Sequence, residues 1–517
     1  MSSRLSFALA SVSGVLLALS FPKFGHPAVA WIALAPLLVA LPAATLTRGF
    51  FLGLTTGVIF FTGTLYWITQ VMVIYGDLAP WMGVGINALL ILYQSAFPAI
   101  FALIVCRLGA SYGRPALIAS PLVWGATEIG RTYVMTGFPW VLLGYSQTIV
   151  LPIAQLASLF GVYGVSMLVA SVSAGLALSW RPPASTQSRA PETERFRRWA
   201  PLAVALVLVV AVAVWGSHRA AVAEWTHTGT PIRVGMIQGN VAQDEKTQIT
   251  RAAGIFQDYL RMTRQAIREG AEFVVWPESS TPFRFEDDPL GALQIRTIAQ
   301  QARVSILFGS DQFVRGANGV PTTFYNSAFM VRPDGTTGGV YRKMHLVPFG
   351  EFVPLKKMLF FAAPLVQAVS DFSAGDEATL LPVDGHLVST AICYEVVYPD
   401  LVRRFVIGGS EMLTTITNDA WFGPTSAPYQ HFEQASMRAI EEGRYLVRSA
   451  NTGVSGIVDP YGRVLVRSGI FEPAVLVGEA RFLSTSTFYA RHGDILAFAS
   501  VLVSAVLLVM AAVRRVK

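Results

Sequence analysis

The chain has 517 residues, 53% of them apolar and only 14% charged, against about 25% charged in ordinary globular proteins. Mean hydropathy is +0.50; this composition excludes a disordered chain, which needs low hydrophobicity and high charge, and argues against an ordinary soluble enzyme. The net charge of +7 comes without a basic stripe interleaved with aromatics, so it does not suggest nucleic acid; much of it sits in short loops between apolar runs, as the positive-inside rule expects.

The deficit of charge is uneven. From Met1 to Trp180 the only charged side chains are Arg4, Lys23, Arg48, Asp77, Arg107, Arg114, Glu128 and Arg131. Beyond about Arg233 the density is normal. A spanning helix needs about 20 mostly apolar residues, and such runs occur at 5–21, 27–46, 49–73, 81–107, 114–130, 153–180, 199–217 and 495–513. The first reads as an uncleaved span because further apolar runs follow at once. With a cytoplasmic N terminus, Arg48, Arg107, Arg114, the loop Arg181–Arg198 and the tail Arg514, Arg515 and Lys517 all fall inside. Lys23, Asp77 and Arg131 then fall in short outside loops. Seven spans (residues 1–217) place the following segment outside, and an eighth (495–513) returns the tail to the cytoplasm. Glu128 and Arg131 are costly in a span and are spaced to pair on one helix face or to line a cavity wall.

The outside segment alternates strand and helix signals. IRVGMIQ (232–238), FVVWP (273–277), SILFGS (305–310), HLVSTAIC (386–393) and EMLTTITN (411–418) read as strands. Residues 247–269, 289–303 and 430–448 read as helices. YNSAFMV and GGVYRKM flank Pro333-Asp334-Gly335, a hairpin signal, and VSGIVDPYGRVLV gives a second hairpin. The alternation predicts a layered α/β domain at about 232–484.

The seven histidines form no HExxH or Cys/His cluster, so no metal site is expected. GVGINA (83–88) lies within an apolar span and reads as helix packing, not as a phosphate loop. The two cysteines, Cys106 and Cys393, make no disulfide framework. Cys393 ends a strand, where a small buried hydrophobe and a reactive thiol both fit. Glu278 ends another, either as a capped or salt-bridged acid or as a working carboxylate. Lys343 closes a hairpin. A thiol needs a base, and its tetrahedral intermediate needs a donor for the oxyanion. Glu, Lys and Cys supply those roles.

VVWPES, RKMHLVPFGEFVP, AICYE and TNDAWFG resemble motifs of the nitrilase, or carbon–nitrogen hydrolase, superfamily. The whole arrangement, with TGFPWVLLGYSQ (136–147), resembles the apolipoprotein N-acyltransferase family. The resemblance implies a helical membrane domain of eight transmembrane helices joined to an αββα sandwich. It implies Glu278 as general base, Cys393 as nucleophile and Lys343 as oxyanion stabiliser. Glu351 would hold or polarise Lys343, Tyr394 would lend its backbone N–H, and Glu395 is a supporting residue. Asn418, Trp421 and Phe422 would shape the pocket, and Trp140 and Tyr145 would help to shield it. Relatives often carry Trp shortly after the QGN motif, whereas QGNVAQDEKT reaches Thr247 without one.

The same resemblance implies a ping-pong reaction without a cofactor, the last step of bacterial lipoprotein maturation. A phospholipid, typically phosphatidylethanolamine, gives an acyl chain to the thiol, and the thioester acylates the amine of a diacylglyceryl-cysteine apolipoprotein. The expected location is the bacterial inner membrane, with the catalytic domain periplasmic. LKKMLFFAAPLVQAV (355–369) is too short to span and suits either an interfacial lid carrying Phe360 and Phe361 or an ordinary core helix. The alternatives are a membrane-tethered amidase or nitrilase acting on small amides, and a non-catalytic membrane scaffold. The intact Glu278, Lys343 and Cys393 argue against the scaffold.

Overall fold

The computed structural model describes residues 1–76, 78–180, 192–246, 248–316, 320–348, 350–352 and 372–514. Asp77, Thr247, the loop residues 181–191 and the expected lid at 355–369, with Phe360 and Phe361, lie outside them. The chain forms two compact units. One comprises Met1–Thr69, Pro80–Val222 and His492–Lys517, and the other comprises Ala223–Arg491 together with Gln70–Ala79.

The first unit is helical. Among the described residues, five helices are long and apolar enough to cross a membrane: Leu46–Leu65, Pro80–Tyr112, Ala157–Ser179, Arg198–Thr226 and Ile495–Val513. The expected count of eight is therefore corrected to five. The run at 5–21 yields only Ser3–Ala18. The run at 27–46 breaks at Leu34 into Pro27–Ala33 and Ala35–Ala40, with Pro36 in the first turn of the second piece. The run at 114–130 divides between a 3-10 segment, Arg114–Ala119, and the helix Ser120–Tyr133. The helix preceding the second unit already begins at Glu192, inside the segment expected to be a loop.

Small residues explain the closest helix pairing. Gly53 and Gly57 of Leu46–Leu65 face the helix Pro80–Tyr112. A Cβ on Gly53 would stand 2.2 Å from the Pro98 carbonyl, and one on Gly57 would stand 2.7 Å from the Ser95 Cα. Glycine at four-residue spacing lets the two backbones touch. GVGINA lies within the helix Pro80–Tyr112, and Asn87 from it donates to the Leu65 carbonyl and the Thr69 hydroxyl. Open space surrounds Gly85, so close packing does not account for every glycine of that segment.

The second unit is an αββα sandwich. Its strands are β1 (Thr230–Gln238), β2 (Phe273–Val275), β3 (Ser305–Arg315), β4 (Pro321–Val331), β5 (Thr337–Arg342) and β6 (Leu381–Val383). They continue with β7 (His386–Ile392), β8 (Met412–Thr417), β9 (Leu446–Ala450), β10 (Gly456–Val458), β11 (Val464–Arg467) and β12 (Ala474–Phe482). One sheet has the order β12-β1-β2-β3-β4-β5 and the other β11-β10-β9-β8-β7-β6. β1, β2 and β3 run parallel, as do β7, β8 and β9. The hairpins β4–β5 and β10–β11 are antiparallel, as the turn chemistry predicts.

Helices Ile249–Arg268 and Pro289–Ala302 cover the first sheet, and Pro399–Ile407 and Ala427–Glu442 cover the second. Trp276 anchors the first layer: it is fully buried beside Phe308 and Tyr259, and its indole donates to Thr263 at 2.8 Å. The helix expected at 430–448 stops at Glu442. Gly443 takes a left-handed φ of +65°, which caps the helix, and the remaining residues turn into β9.

Candidate active site

Parallel strands deliver functional residues at their C-terminal ends, where chain direction changes and loops converge. Glu278 follows β2, Cys393 immediately follows β7, and Asn418 immediately follows β8. Lys343 arrives differently: it closes the β4–β5 hairpin, and its backbone N–H donates to the Asn326 carbonyl at 2.9 Å. Both sheets therefore contribute to one polar cluster.

Lys343 is 1% exposed. Its Nζ donates to Glu351 Oε1 at 2.8 Å and lies 3.5 Å from Glu278 Oε1. Burial alone favours the neutral amine, but Glu351 and then Glu278 outweigh it and hold the lysine protonated, above its usual range. Asn326 bridges the two acids, its Nδ2 donating to Glu278 Oε1 at 2.7 Å and to Glu351 Oε1 at 3.0 Å. Glu278 Oε2 accepts the Asn418 backbone N–H at 2.9 Å, and Glu351 Oε2 accepts that of Val347 at 2.8 Å. Each carboxylate is thus oriented by neutral donors as well as by the shared cation.

Cys393 occupies a left-handed φ of +53° at the end of its strand. Such a conformation is uncommon outside glycine and needs surrounding support. Burial pushes its thiol well above the ordinary range, the nearby Glu278 and Asp419 push the same way, and Lys343 pulls it back. This environment favours the thiol over the thiolate, and a buried thiol becomes a nucleophile only where a base takes its proton.

Part of the support lies beneath Cys393. His431 Nε2 lies 3.2 Å from the Cys393 carbonyl oxygen. A carbonyl only accepts, so Nε2 carries the proton. Nδ1 lies 2.9 Å from Arg448 Nη2 and 3.0 Å from Asp419 Oδ1, and burial, then Arg448, pull the imidazole below its usual range. Arg448 also donates to Asp419 Oδ2 at 2.9 Å, and Thr417 donates to Asp419 Oδ1 at 2.8 Å. Although burial alone would raise it, Asp419 is held at about 2, chiefly by Arg448 and then by His431. Replacing His431 by Ala leaves the Cys393 carbonyl without this donor, at an expected cost of about 1–3 kcal/mol in stability. Thioester formation should slow in parallel. His431→Gln, which can still donate, should recover most of both losses in melting and single-turnover assays.

Glu395 is a structural hub. Its Oε1 accepts from the Tyr341 hydroxyl and from the backbone of Met344 and His345, and its Oε2 accepts from Ile392 N–H. It ties the Lys343 turn to the Cys393 turn. Burial pushes it up to about 7 despite these donors.

The remaining expected residues fall in different places. Tyr394 is adjacent to Cys393, and its hydroxyl accepts from Tyr398. Trp421 and Phe422 lie on the 3-10 turn Asp419–Phe422, and Trp421 packs edge-on against Tyr75 at 5.1 Å. Tyr75, from Gln70–Ala79, also donates to the Ala420 carbonyl at 2.9 Å. Trp140 and Tyr145 are buried within the helical unit, Trp140 against Trp67 and Phe138. No hydrogen bond joins Glu128 to Arg131. Glu128 accepts from Leu143 N–H at 2.7 Å, and Arg131 donates to the Val141 carbonyl and lies over the Phe61 ring. Both therefore fasten the segment carrying Trp140. Among the described residues, no group of three His, Cys, Asp or Glu side chains is arranged to hold a metal.

The model of the apolipoprotein N-acyltransferase N-terminal domain matches residues 13–175, and that of the carbon-nitrogen hydrolase matches residues 233–486. An apolipoprotein N-acyltransferase of Geobacter metallireducens is 39% identical, covering 98% of this chain and 95% of the relative. The chain belongs to the apolipoprotein N-acyltransferase family. A second relative of that name, from Methylococcus capsulatus, is 36% identical over 94% of this chain and 92% of its own length. Among solved structures, an amidase from Nesterenkonia matches 50% of this chain and 93% of its own, with 20% identity and a TM-score of 0.38.

Three residues of this family member escape a reading of its sequence. Asn326 sits mid-strand in an unremarkable β4 pattern, His431 sits mid-helix, and Tyr75 lies between two apolar helices. Only the first had a weak signal, an amide within an otherwise hydrophobic strand.

Proposed function

We propose that this chain N-acylates the diacylglyceryl-cysteine of apolipoproteins, using a phospholipid as acyl donor through a thioester on Cys393. The observation that carries the reading is the convergence of Glu278, Lys343 and Cys393 from separate strand ends, in a chain whose relatives are named for that activity.

In the first half-reaction Glu278 takes the thiol proton as Cys393 sulfur attacks the ester carbonyl. Lys343 and the Tyr394 N–H stabilise the oxyanion. Collapse breaks the carbon–oxygen bond, and Glu278 returns its proton to the departing lysophospholipid. In the second half, the lipoprotein amine attacks the thioester, its proton passes through Glu278, and the thiol is regenerated. Asn418, Trp421 and Phe422 form the pocket wall in this reading. Phosphatidylethanolamine is the expected donor.

The positive-inside rule, applied from a cytoplasmic N terminus, orients the helical unit. The Arg48, Arg107, Arg114 and Arg514 ends are then cytoplasmic, and the catalytic unit lies on the periplasmic side of the inner membrane. Intact-mass analysis of the full chain after incubation with phosphatidylethanolamine tests the reaction. The expected result is an acyl adduct labile to hydroxylamine and absent in Cys393→Ser. A wild-type protein that gains no adduct from phospholipid, yet hydrolyses small amides, would favour the tethered amidase.

A further inference from the structure

Asn418 places its backbone N–H on Glu278 Oε2, but neither helix nor sheet sets the direction of that N–H. β8 ends at Thr417, and Asn418 has the irregular pair φ −116°, ψ 79°. Its side chain is gripped from both ends. Asn418 Oδ1 accepts from Asn451 Nδ2 at 2.9 Å, and Asn418 Nδ2 donates to Gln243 Oε1 at 2.7 Å.

Asn451 is fully buried, just beyond β9. Its Oδ1 accepts Val241 N–H at 2.9 Å, and its Nδ2 also donates to the Val241 carbonyl at 2.7 Å. Its backbone N–H donates to the Thr417 carbonyl, and its carbonyl accepts Asn240 N–H. Flipping the amide would set donor against donor and acceptor against acceptor, so these contacts fix its orientation. The loop after β1 and the turn after β8 thus meet through one amide, and its partner Asn418 in turn donates its backbone N–H to Glu278.

We propose that Asn451 and Gln243 are positioning residues for Glu278: together they clamp the Asn418 side chain so that its backbone N–H is aimed at Glu278 Oε2. The inference rests on the reading of Glu278 as the base. The Glu278 carboxylate faces Lys343, Asn326 and Asn418 directly, while Lys246, Asp311 and Cys393 act on it or are acted on electrostatically. Neither clamp residue carries a charge, so its loss changes this environment by geometry alone.

Alkylation of Cys393 by iodoacetamide, followed across pH by peptide mass on the full-length protein in detergent micelles, reads the clamp without any lipid. A carboxylate that loses a donor holds its proton to higher pH, so the acid limb should move upward in Asn451→Ala and Gln243→Ala, by up to about one pH unit. A purely structural role would lower the melting midpoint and leave the limb in place. Limbs that coincide with wild type would overturn the proposal. Gln243 opens the short helix Gln243–Lys246 and is partly exposed, so Gln243→Ala decides the matter should Asn451→Ala fail to fold. Glu278→Gln is the control for the underlying reading. If that variant keeps the wild-type limb at its wild-type position, rather than a rate that climbs only toward alkaline pH, Glu278 is not the base, an outcome separable from an intact limb in the clamp variants alone.

Discussion

Replacing Lys343 by Met is expected to abolish thioester formation and to destabilise the catalytic unit at the same time. The lysine is almost fully buried, with Glu351 at 2.8 Å and Glu278 at 3.5 Å. Breaking a buried ion pair typically costs about 3–5 kcal/mol, because the partner is left charged and unsolvated. Here two carboxylates, both also bonded to Asn326, would be left facing each other. The catalytic loss is a separate effect: one oxyanion donor is typically worth about 2.7–4 kcal/mol in the transition state.

A second substitution separates the two effects. Lys343→Met combined with Glu351→Gln removes one of the stranded charges and should regain much of the lost melting temperature, while thioester formation stays at background. Recovery of activity in the double variant would mean that Lys343 matters only as ballast for Glu351. Lys343→Arg should also fail, since a planar fork does not fit a site shaped around a single ammonium.

What the sequence discloses and what it hides follow different physics. Glu278 and Cys393 were legible as candidates because each stands where an apolar run stops, and a polar group at the lip of a core strand has to be explained, whereas Lys343, at a hairpin end, stood out only with the family motif around it. Hairpins announced by Pro333-Asp334-Gly335 were legible through turn chemistry. Residues that act through tertiary contact leave no such mark. Asn326 reaches Glu278 across 48 positions of sequence and Asn451 reaches Val241 across 210. His431 supports Cys393 from a helix that reads as ordinary amphipathic cover. The helix count erred for a related reason. Hydropathy sees apolar composition but not the breaks at Leu34 or between Ala119 and Ser120 that divide a run into shorter pieces. Glycine at position 443 was the missed stop signal in the catalytic unit, and ignoring it extended a helix over β9.

Glu278→Gln should slow acyl-enzyme formation by about 10²–10⁴-fold near neutral pH, the usual worth of a general base. The dependence on pH carries the stronger test. In the wild type, burial raises the Cys393 thiol, and the negative charge of Glu278 raises it further. Glutamine removes that charge, so the thiol of the variant ionises at a lower pH than that of the wild type. It also removes the proton acceptor, so the variant depends entirely on thiolate formed by solvent. Its rate should therefore climb with rising pH and approach that of the wild type under alkaline conditions, where the wild type no longer gains from its base. A carboxylate that served only to hold Lys343 in place would give a deficit independent of pH. Single-turnover thioester formation measured across the pH range, with hydroxylamine release of the acyl chain to quantify the adduct, distinguishes the two outcomes.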